Sequence, residues 1–279
     1  MSFSERFQVK AEQKIHLGDI DPDYTLQHKS KSGARAEISK YAERLRELQY
    51  LLYAENHRGL LICLQAMDSG GKDGTIRHVL GYMNPQGCRV QSFKAPTAQE
   101  AAHDFLWRVH QVTPGRGEVV IFNRSHYEDV LIARVHHLVP GKVWSARYDA
   151  INAFERHLHN NGVHILKFFL HISKDEQLKR FKKRLNDPKR QWKISEADYA
   201  ERAYWDDYQR AYEDALGRCS TADAPWFVVP ANHKWFRNLA ISRIVVEYLE
   251  GLEMRFPKPA LDIGKIAEQY RAELNNKNQ

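Results

Sequence analysis

The sequence predicts an α/β fold, a parallel sheet with helices on both faces. Three observations carry that expectation. The apolar runs 60–66, 118–122 and 163–172 have the length of buried strands and lack the polar alternation of a half-exposed sheet. Helical patterns of about 10–18 residues separate them, the rhythm of strand–helix–strand crossovers. The first run ends in a turn crowded with glycines that opens a further helix, an arrangement in which backbone N–H groups can meet an anion.

The elements follow in order. Residues 1–35 are polar, carry turn signals at Asp21-Pro22-Asp23 and around Gly33, and read as an arm over the surface. Residues 36–57 place Ile38, Tyr41, Leu45, Leu48, Leu51 and Leu52 at helical spacing. Strand 60–66, the glycine turn and a helix over 75–82 come next, then a short strand over 89–93. A helix over 98–110 carries Phe105, Leu106 and Trp107, and strand 118–122 follows it. A helix over 143–160 ends at Gly162, ahead of strand 163–172. From Lys174 the chain turns basic, with nine Lys/Arg against three Asp/Glu over 174–193. Asp187-Pro188 breaks that helix, and a second charged helix is expected over about 195–216. A last strand over 224–230, a helix over 234–252 and a tail helix over 260–274 complete the chain. No internal repeat is evident. In such a sheet ligands bind at the carboxyl ends of the strands.

Composition narrows the partners. The chain has 279 residues, room for one large core or a core with a small lobe. Its net charge of +7 favours anions: nucleotides, nucleic acid, polyanions or a membrane surface. The same mild excess is ordinary among soluble proteins, so the placement of the charge must decide. No stretch approaches the roughly 18 continuous apolar residues of a membrane span, and the N-terminus lacks an apolar leader. Cys63, Cys88 and Cys219 are odd in number and far apart, and Cys63 falls in an apolar strand. That pattern predicts reduced thiols and a cytoplasmic protein rather than a disulfide framework or a zinc site.

Three constellations carry chemistry. In the first, Gly70, Gly71 and Gly74 crowd around Lys72, and Thr75 opens the helix. These are the parts of a phosphate-binding loop, although the bland alternative is a glycine turn with an incidental lysine. The departures from G-x-x-x-x-G-K-[ST] are informative. Ala66 replaces the first glycine, Asp73 stands where a magnesium-binding hydroxyl belongs, and Asp68 lies inside the loop. An acid beside phosphates calls for a cation between them. Magnesium suits this, taking one or two carboxylates plus water and phosphate oxygens, with manganese as a substitute.

The second constellation is Asn123-Arg-Ser-His-Tyr-Glu-Asp129, directly after a buried strand. Arg124 can grip phosphate oxygens bidentately. Glu128 and Asp129 could hold metal or position an acceptor, and Arg134 follows at helical spacing toward the same crevice. His126 has no partner at ligand spacing and is not read as a zinc ligand. The third is the basic run Lys179, Arg180, Lys182, Lys183, Arg184, Lys189, Arg190 and Lys193. Such runs are usually solvated faces. Arg180 and Arg184, however, share a helical face and could serve a lid that neutralises charge in phosphoryl transfer.

Together these segments carry a resemblance. Ala66-Met-Asp-Ser-Gly-Gly-Lys-Asp-Gly-Thr-Ile76, Asn84-Pro-Gln-Gly87, Phe93-Lys-Ala-Pro-Thr97, His103-Asp-Phe-Leu-Trp-Arg108, Phe122-Asn-Arg-Ser-His-Tyr-Glu-Asp-Val130 and Pro230-Ala-Asn-His-Lys-Trp-Phe-Arg-Asn238 resemble polyphosphate kinase family 2, over residues 35–256. His126-Tyr127-Glu128 is similar to class III of that family, whose members convert AMP and ADP toward ATP. Other classes have Trp-Tyr-Asn there, and Asp in place of Asn123. The resemblance implies a thymidylate-kinase-like P-loop core, catalytic over 36–256, with a helical lid at about 180–216 and a tail over 257–279. It implies phosphate-loop roles for Asp68, Gly71, Lys72, Asp73 and Gly74, second-motif roles for Asn123, Arg124, Tyr127 and Glu128, and lid roles for Arg180, Arg184 and Lys193. Asn123 cannot supply the anionic metal contact of an aspartate, and Asn232, where relatives often have Asp, is given no catalytic role.

The expected reaction moves the terminal phosphoryl group of inorganic polyphosphate to AMP or ADP. Lys72 and the loop N–H groups would hold the group in transfer, with Gly70 and Thr75 completing the cradle. Asp68, Glu128 and Asp129 would serve the metal, and Arg124, Arg180 and Arg184 the developing charge. Arg134 and Lys193 would bind phosphate or nucleotide. The expected partners are polyphosphate, AMP, ADP and ATP, with no nucleic acid and no membrane, in a homo-oligomer. Tyr199, Tyr204, Trp205, Tyr208 and Tyr212 form either lid core or a subunit interface. Two other readings stay open here: an ATP-dependent nucleoside or nucleotide kinase, against which Asp68 and Asp73 speak, and a non-enzymatic polyanion-binding protein, which would not need Lys72.

Overall fold

The structure, a computed structural model, describes residues 2–28 and 30–276. Five strands, β1 (Gly59–Gln65), β2 (Cys88–Ser92), β3 (Val119–Asn123), β4 (Val163–His171) and β5 (Trp226–Pro230), form one sheet in the order β2-β3-β1-β4-β5. Every pairing between them is parallel. The central strand is flanked on both sides and covered on both faces, so all seven of its residues are buried. That is why it reads as a continuous apolar run. Leu60, Ile62 and Leu64 enter one core and Leu61 and Cys63 the other, as the strand period requires.

The helices are α1 (Phe3–Phe7), α2 (Lys31–Glu55), α3 (Lys72–His78), α4 (Ala98–Ala101), α5 (Trp107–His110), α6 (Ile132–Val135), α7 (Gly141–Asn160), α8 (Lys174–Leu185), α9 (Glu196–Ala200), α10 (Trp205–Cys219), α11 (Lys234–Glu250) and α12 (Ile263–Asn276). Leu45, Leu48 and Leu52 of α2 and Leu239, Ile244 and Val245 of α11 build the larger core, while Val109 of α5 and Phe154 and Leu158 of α7 build the smaller one. Near the start of the chain, Phe7 meets Phe236 of α11 edge-on at 6.0 Å, and Gln8 bridges to Phe227 of β5.

Several boundaries differ from the sequence expectation for local reasons. Helix α2 starts at Lys31 because the Ser30 side chain accepts the Gly33 N–H and caps it. The single helix expected over 98–110 is two short ones, since the Asp104 carboxylate accepts the Leu106 N–H and starts a new turn. The helix expected over 195–216 is broken at a 3-10 turn, Glu201–Tyr204. Its last piece, α10, buries Trp205, Ala211, Tyr212, Ala215, Leu216 and Cys219, so most of it is core. Tyr212 packs against Phe169 at 4.4 Å, whereas Tyr199 and Tyr204 stay exposed. Helix α6, with four residues, is too short to show a period. Among the described residues no helix is long and apolar enough to cross a membrane.

The register sets up the site. Leu64 of β1 lies opposite Asn123 of β3, so the loops after these two strands leave the sheet side by side. The chain places β3 and β4 on opposite sides of β1, which makes this edge the switch point of the sheet, where α/β folds bind ligands.

Candidate active site

The loop after β1 turns back through Ser69 (φ 62°) and Gly71 (φ 113°), and Gly71 caps α3. A side chain at Gly71 would be strained by its φ and would place Cβ 1.9 Å from Arg237 Nη1, so glycine is required there. Lys72 follows and donates from Nζ to the Ala66 carbonyl at 3.1 Å. Burial, then the neighbouring Arg124 cation, push the Lys72 pKa below that of an ordinary lysine, against the pull of Asp68, Glu128 and Asp73.

The loop after β3 starts at Arg124 in the left-handed region (φ 64°), with its N–H bonded to the Leu64 carbonyl at 3.2 Å. Arg124 donates from Nη2 to Asp68 Oδ1 at 3.3 Å. Burial works against its charge, but Glu128 and Asp68 outweigh it and hold the guanidinium pKa above the ordinary value. Burial lifts the Glu128 carboxyl above the usual carboxylate range, only partly offset by Arg124 and Lys72. Asp68, Lys72, Arg124 and Glu128 therefore share one electrostatic neighbourhood.

Asp73 has a different job. Its two oxygens accept from Asn123 Nδ2 at 3.1 Å and Lys193 Nζ at 2.9 Å, which ties the glycine loop to β3 and to the segment after α8. Burial would raise its pKa, but those two contacts outweigh burial and hold it below the ordinary range.

Arg180 is buried and saturated. It meets Glu176 at 2.8 Å, the Ser69 and Gly70 carbonyls at 2.9 and 3.0 Å, and the Ala231 and Asn232 carbonyls. It thereby clamps the glycine loop to the end of β5. Arg184, one turn on, is half-buried and held by Asp198 at 3.4 Å. Gly70 lies so close to the Ala66 methyl and the Met67 carbonyl that a Cβ would clash with both. Gly74 packs on Arg237, and Thr75 is buried with its hydroxyl unpaired among the described residues.

Three sequence candidates point elsewhere. Tyr127 is fully buried and donates to Glu155 at 3.0 Å. Arg134 pairs with Asp214 at 2.6 Å and stacks over Trp144 at 4.5 Å. Asp129 is held by Arg147, at 2.8 Å through its carbonyl and 3.2 Å through its carboxylate. The structure thus does not bring Asp129 together with Asp68 and Glu128. Among the described residues no group of three or more His, Cys, Asp or Glu side chains is disposed to hold an ion. What remains, Asp68 and Glu128 in the field of Lys72 and Arg124, fits a divalent cation that brings its own water and substrate phosphate ligands.

Sequence reasoning missed a buried support. Lys167 of β4 donates to Glu155, to the Tyr127 hydroxyl and to the Cys219 carbonyl, and Glu155 also accepts from His126 Nε2 at 3.1 Å. It also gave no role to Arg237, which entered only as one residue of the 230–238 motif, beside the apolar Trp235 and Phe236.

A glycine loop and lysine at the switch point of a five-stranded parallel sheet, with arginines and two carboxylates converging on them, define a phosphoryl-transfer enzyme of the P-loop kinase-like class. A family model described as Polyphosphate kinase 2 (PPK2) matches residues 28–257. The chain belongs to that family. It is 51% identical to the AMP/ADP-polyphosphate phosphotransferase of Meiothermus ruber, over 94% of this chain and 98% of that one. It is 46% identical to the ADP-polyphosphate phosphotransferase of Rhodopseudomonas palustris, over 97% and 98% of the two chains. The crystal structure of polyphosphate kinase 2 from Arthrobacter aurescens superposes with a TM-score of 0.94 at 43% identity, covering 98% of this chain and 97% of that one.

Proposed function

We propose that this protein transfers the terminal phosphoryl group of inorganic polyphosphate to AMP and ADP, forming ADP and ATP. The observation that carries the reading is the meeting of Asp68, Lys72, Arg124 and Glu128 at the carboxyl ends of β1 and β3, in a member of the polyphosphate kinase 2 family. The nearly full-length relatives are named as polyphosphate phosphotransferases acting with AMP/ADP or ADP.

The acceptor is already a phosphate anion at neutral pH, so the chemistry needs alignment and charge cancellation more than a strong base. Lys72 and the loop N–H groups hold the transferred phosphoryl. Arg124, bonded to Asp68 in the free protein, is placed to turn toward phosphate oxygens while its backbone stays fixed to β1. Arg180 acts by holding the loop's shape, since its nitrogens bond protein groups. Arg184 keeps donors free beyond its contact with Asp198. Asp68 and Glu128 would hold magnesium, or manganese in its place, and the bound cation would neutralise phosphate oxygens. Glu128, near Arg124 and Lys72, would supply the negative charge that AMP lacks beside ADP, which would suit the site to AMP. We further propose a cytoplasmic homo-oligomer, without nucleic acid or membrane partners. The apolar stripe Ile263, Ile266 and Tyr270, exposed on α12, supports self-association.

The test is a time course of nucleotide products from purified protein with magnesium and polyphosphate, with AMP and ADP each as sole acceptor. ADP and then ATP should appear from AMP. No product from polyphosphate, together with phosphorylation of a nucleoside by ATP, would establish a nucleoside kinase instead. Acceptance of ADP alone would remove the role given to Glu128.

A further inference from the structure

Arg237 lies in the first turn of α11 and is 1% exposed. Its Nε and Nη2 donate to Asn238 Oδ1 at 3.1 and 2.7 Å, and its Nη1 has no partner among the described residues. The guanidinium is pressed onto the glycine loop. A Cβ at Gly71 would fall 1.9 Å from Nη1, and one at Gly74 would fall 3.1 Å from Nη2. Both glycines therefore leave the room that Arg237 fills.

Its charge is unbalanced. The other guanidinium groups at this loop have carboxylate partners, Arg180 in Glu176 and Arg124 in Asp68, whereas Arg237 contacts a neutral amide. Burial, then the Arg180 cation, push the Arg237 pKa down to about 9, and no acid offsets them. The charges weighing most on the half-buried Lys234 nearby, after burial, are likewise cations: Arg180, Arg237, Lys183 and Arg190. A buried cation without a counter-ion is costly, and a fold retains one where something else compensates it.

We propose that Arg237 is a positioning residue for the phosphate donor: it supplies uncompensated positive charge from behind Gly71 and Gly74, and that charge is balanced only when the polyphosphate chain occupies the loop. This rests on the reading of the loop as a polyphosphate cradle. The neutral amide of Asn238 holds the fork in place without quenching it. Arg180 is the loop's clamp and Arg237 its charge.

The experiment compares wild type, R237M, R237K and N238D in thermal melts with and without inorganic tripolyphosphate, and in steady-state assays with polyphosphate and ADP. In R237M the free protein should melt no lower than wild type, because an unpaired buried charge has been replaced by an apolar side chain. The rise in melting temperature on adding tripolyphosphate should fall by at least half. KM for polyphosphate should rise about tenfold while kcat stays within about threefold, the pattern of lost ground-state binding. R237K should recover most of the affinity. N238D keeps the fork but adds a counter-ion, so KM should rise and the free protein should be at least as stable. A free R237M that melts lower while KM and the tripolyphosphate response stay at wild-type values would make Arg237 a structural brace and overturn the proposal. If R237M does not fold, N238D decides, and an unchanged KM there overturns it. A wild-type protein inactive with polyphosphate would instead sink the functional reading itself, and this inference with it.

Discussion

Lys167 and Lys72 both serve the segment 123–129, and they end in opposite states. Lys167 is fully buried, and its ammonium spends its donors on Glu155, the Tyr127 hydroxyl and the Cys219 carbonyl. Among the described residues Lys72 has one hydrogen bond to protein, to the Ala66 carbonyl. Around Lys167 the charges close on themselves. Burial would raise the Glu155 carboxyl, but Lys167 and then His126 outweigh it and keep it below the ordinary range. Around Lys72 the charges stay open: Asp68, Glu128 and Asp73 pull its pKa up, yet burial and then Arg124 outweigh them and depress it. A saturated buried cation fixes structure. An unsaturated one at a strand's carboxyl end is available to a ligand.

The largest test of that contrast is Lys72→Ala. It should lower kcat/KM by about 10³-fold, in the range of removing one preorganised charge contact, while circular dichroism and a cooperative melt stay near wild type. A comparable loss of stability would show that Lys72 is structural after all. Lys167→Met should invert the pattern. Leaving the buried Glu155 carboxylate without its lysine counter-ion should cost about 3–5 kcal/mol of stability, or roughly 10 °C in melting temperature. KM for polyphosphate in the folded fraction should stay near wild type, and a Lys167→Met, Glu155→Leu pair should recover much of the loss.

The smallest effect concerns acidity. Burial holds the Glu128 carboxyl above the usual range, so activity that needs its carboxylate should decline with falling pH earlier than an exposed glutamate would dictate. The linkage sign is opposite for stability. The folded protein binds this proton more readily than the unfolded chain, so this group's contribution to stability increases as pH falls through the raised pKa. Mild acidification should therefore depress the rate without lowering the melting temperature on this group's account. Glu128→Gln should remove that acid limb and lower activity with both acceptors, about tenfold further with AMP than with ADP. A limb that persists in the variant belongs to another group.

What could be read from the sequence was local. The β1 run, the glycine turn and the charged stretch after β3 are each continuous, and two parallel strands place their loops together at any register close to the observed one. Sequence adjacency failed where direction mattered. Arg124, Tyr127 and Asp129 sit in one polar run, yet the 3-10 turn His126–Asp129 sends Tyr127 into the core and Asp129 toward Arg147. A non-periodic run of polar residues gives no phase from which to predict this. Arg237 and Lys167 were out of reach for another reason. Their importance comes from what they meet across the sheet, and each sits in an apolar segment whose pattern predicts only burial. Arg180 shows the same limit, since its helical phase with Arg184 was legible but its capture by four backbone carbonyls was not.

The bridge from Asn123 through Asp73 to Lys193 has a consequence for the entropy of capture. A free lysine loses about 1.5–2 kcal/mol of rotamer freedom when it is fixed. Lys193 has already surrendered part of that freedom to Asp73, before any donor chain arrives. A partly exposed ion pair of this kind holds with only about 0–1 kcal/mol, so an incoming phosphate need not overcome much to take the lysine over. If Lys193 receives the donor chain as proposed, Asp73 would act as a placeholder anion, keeping the lysine partly ordered and yielding it at little expense.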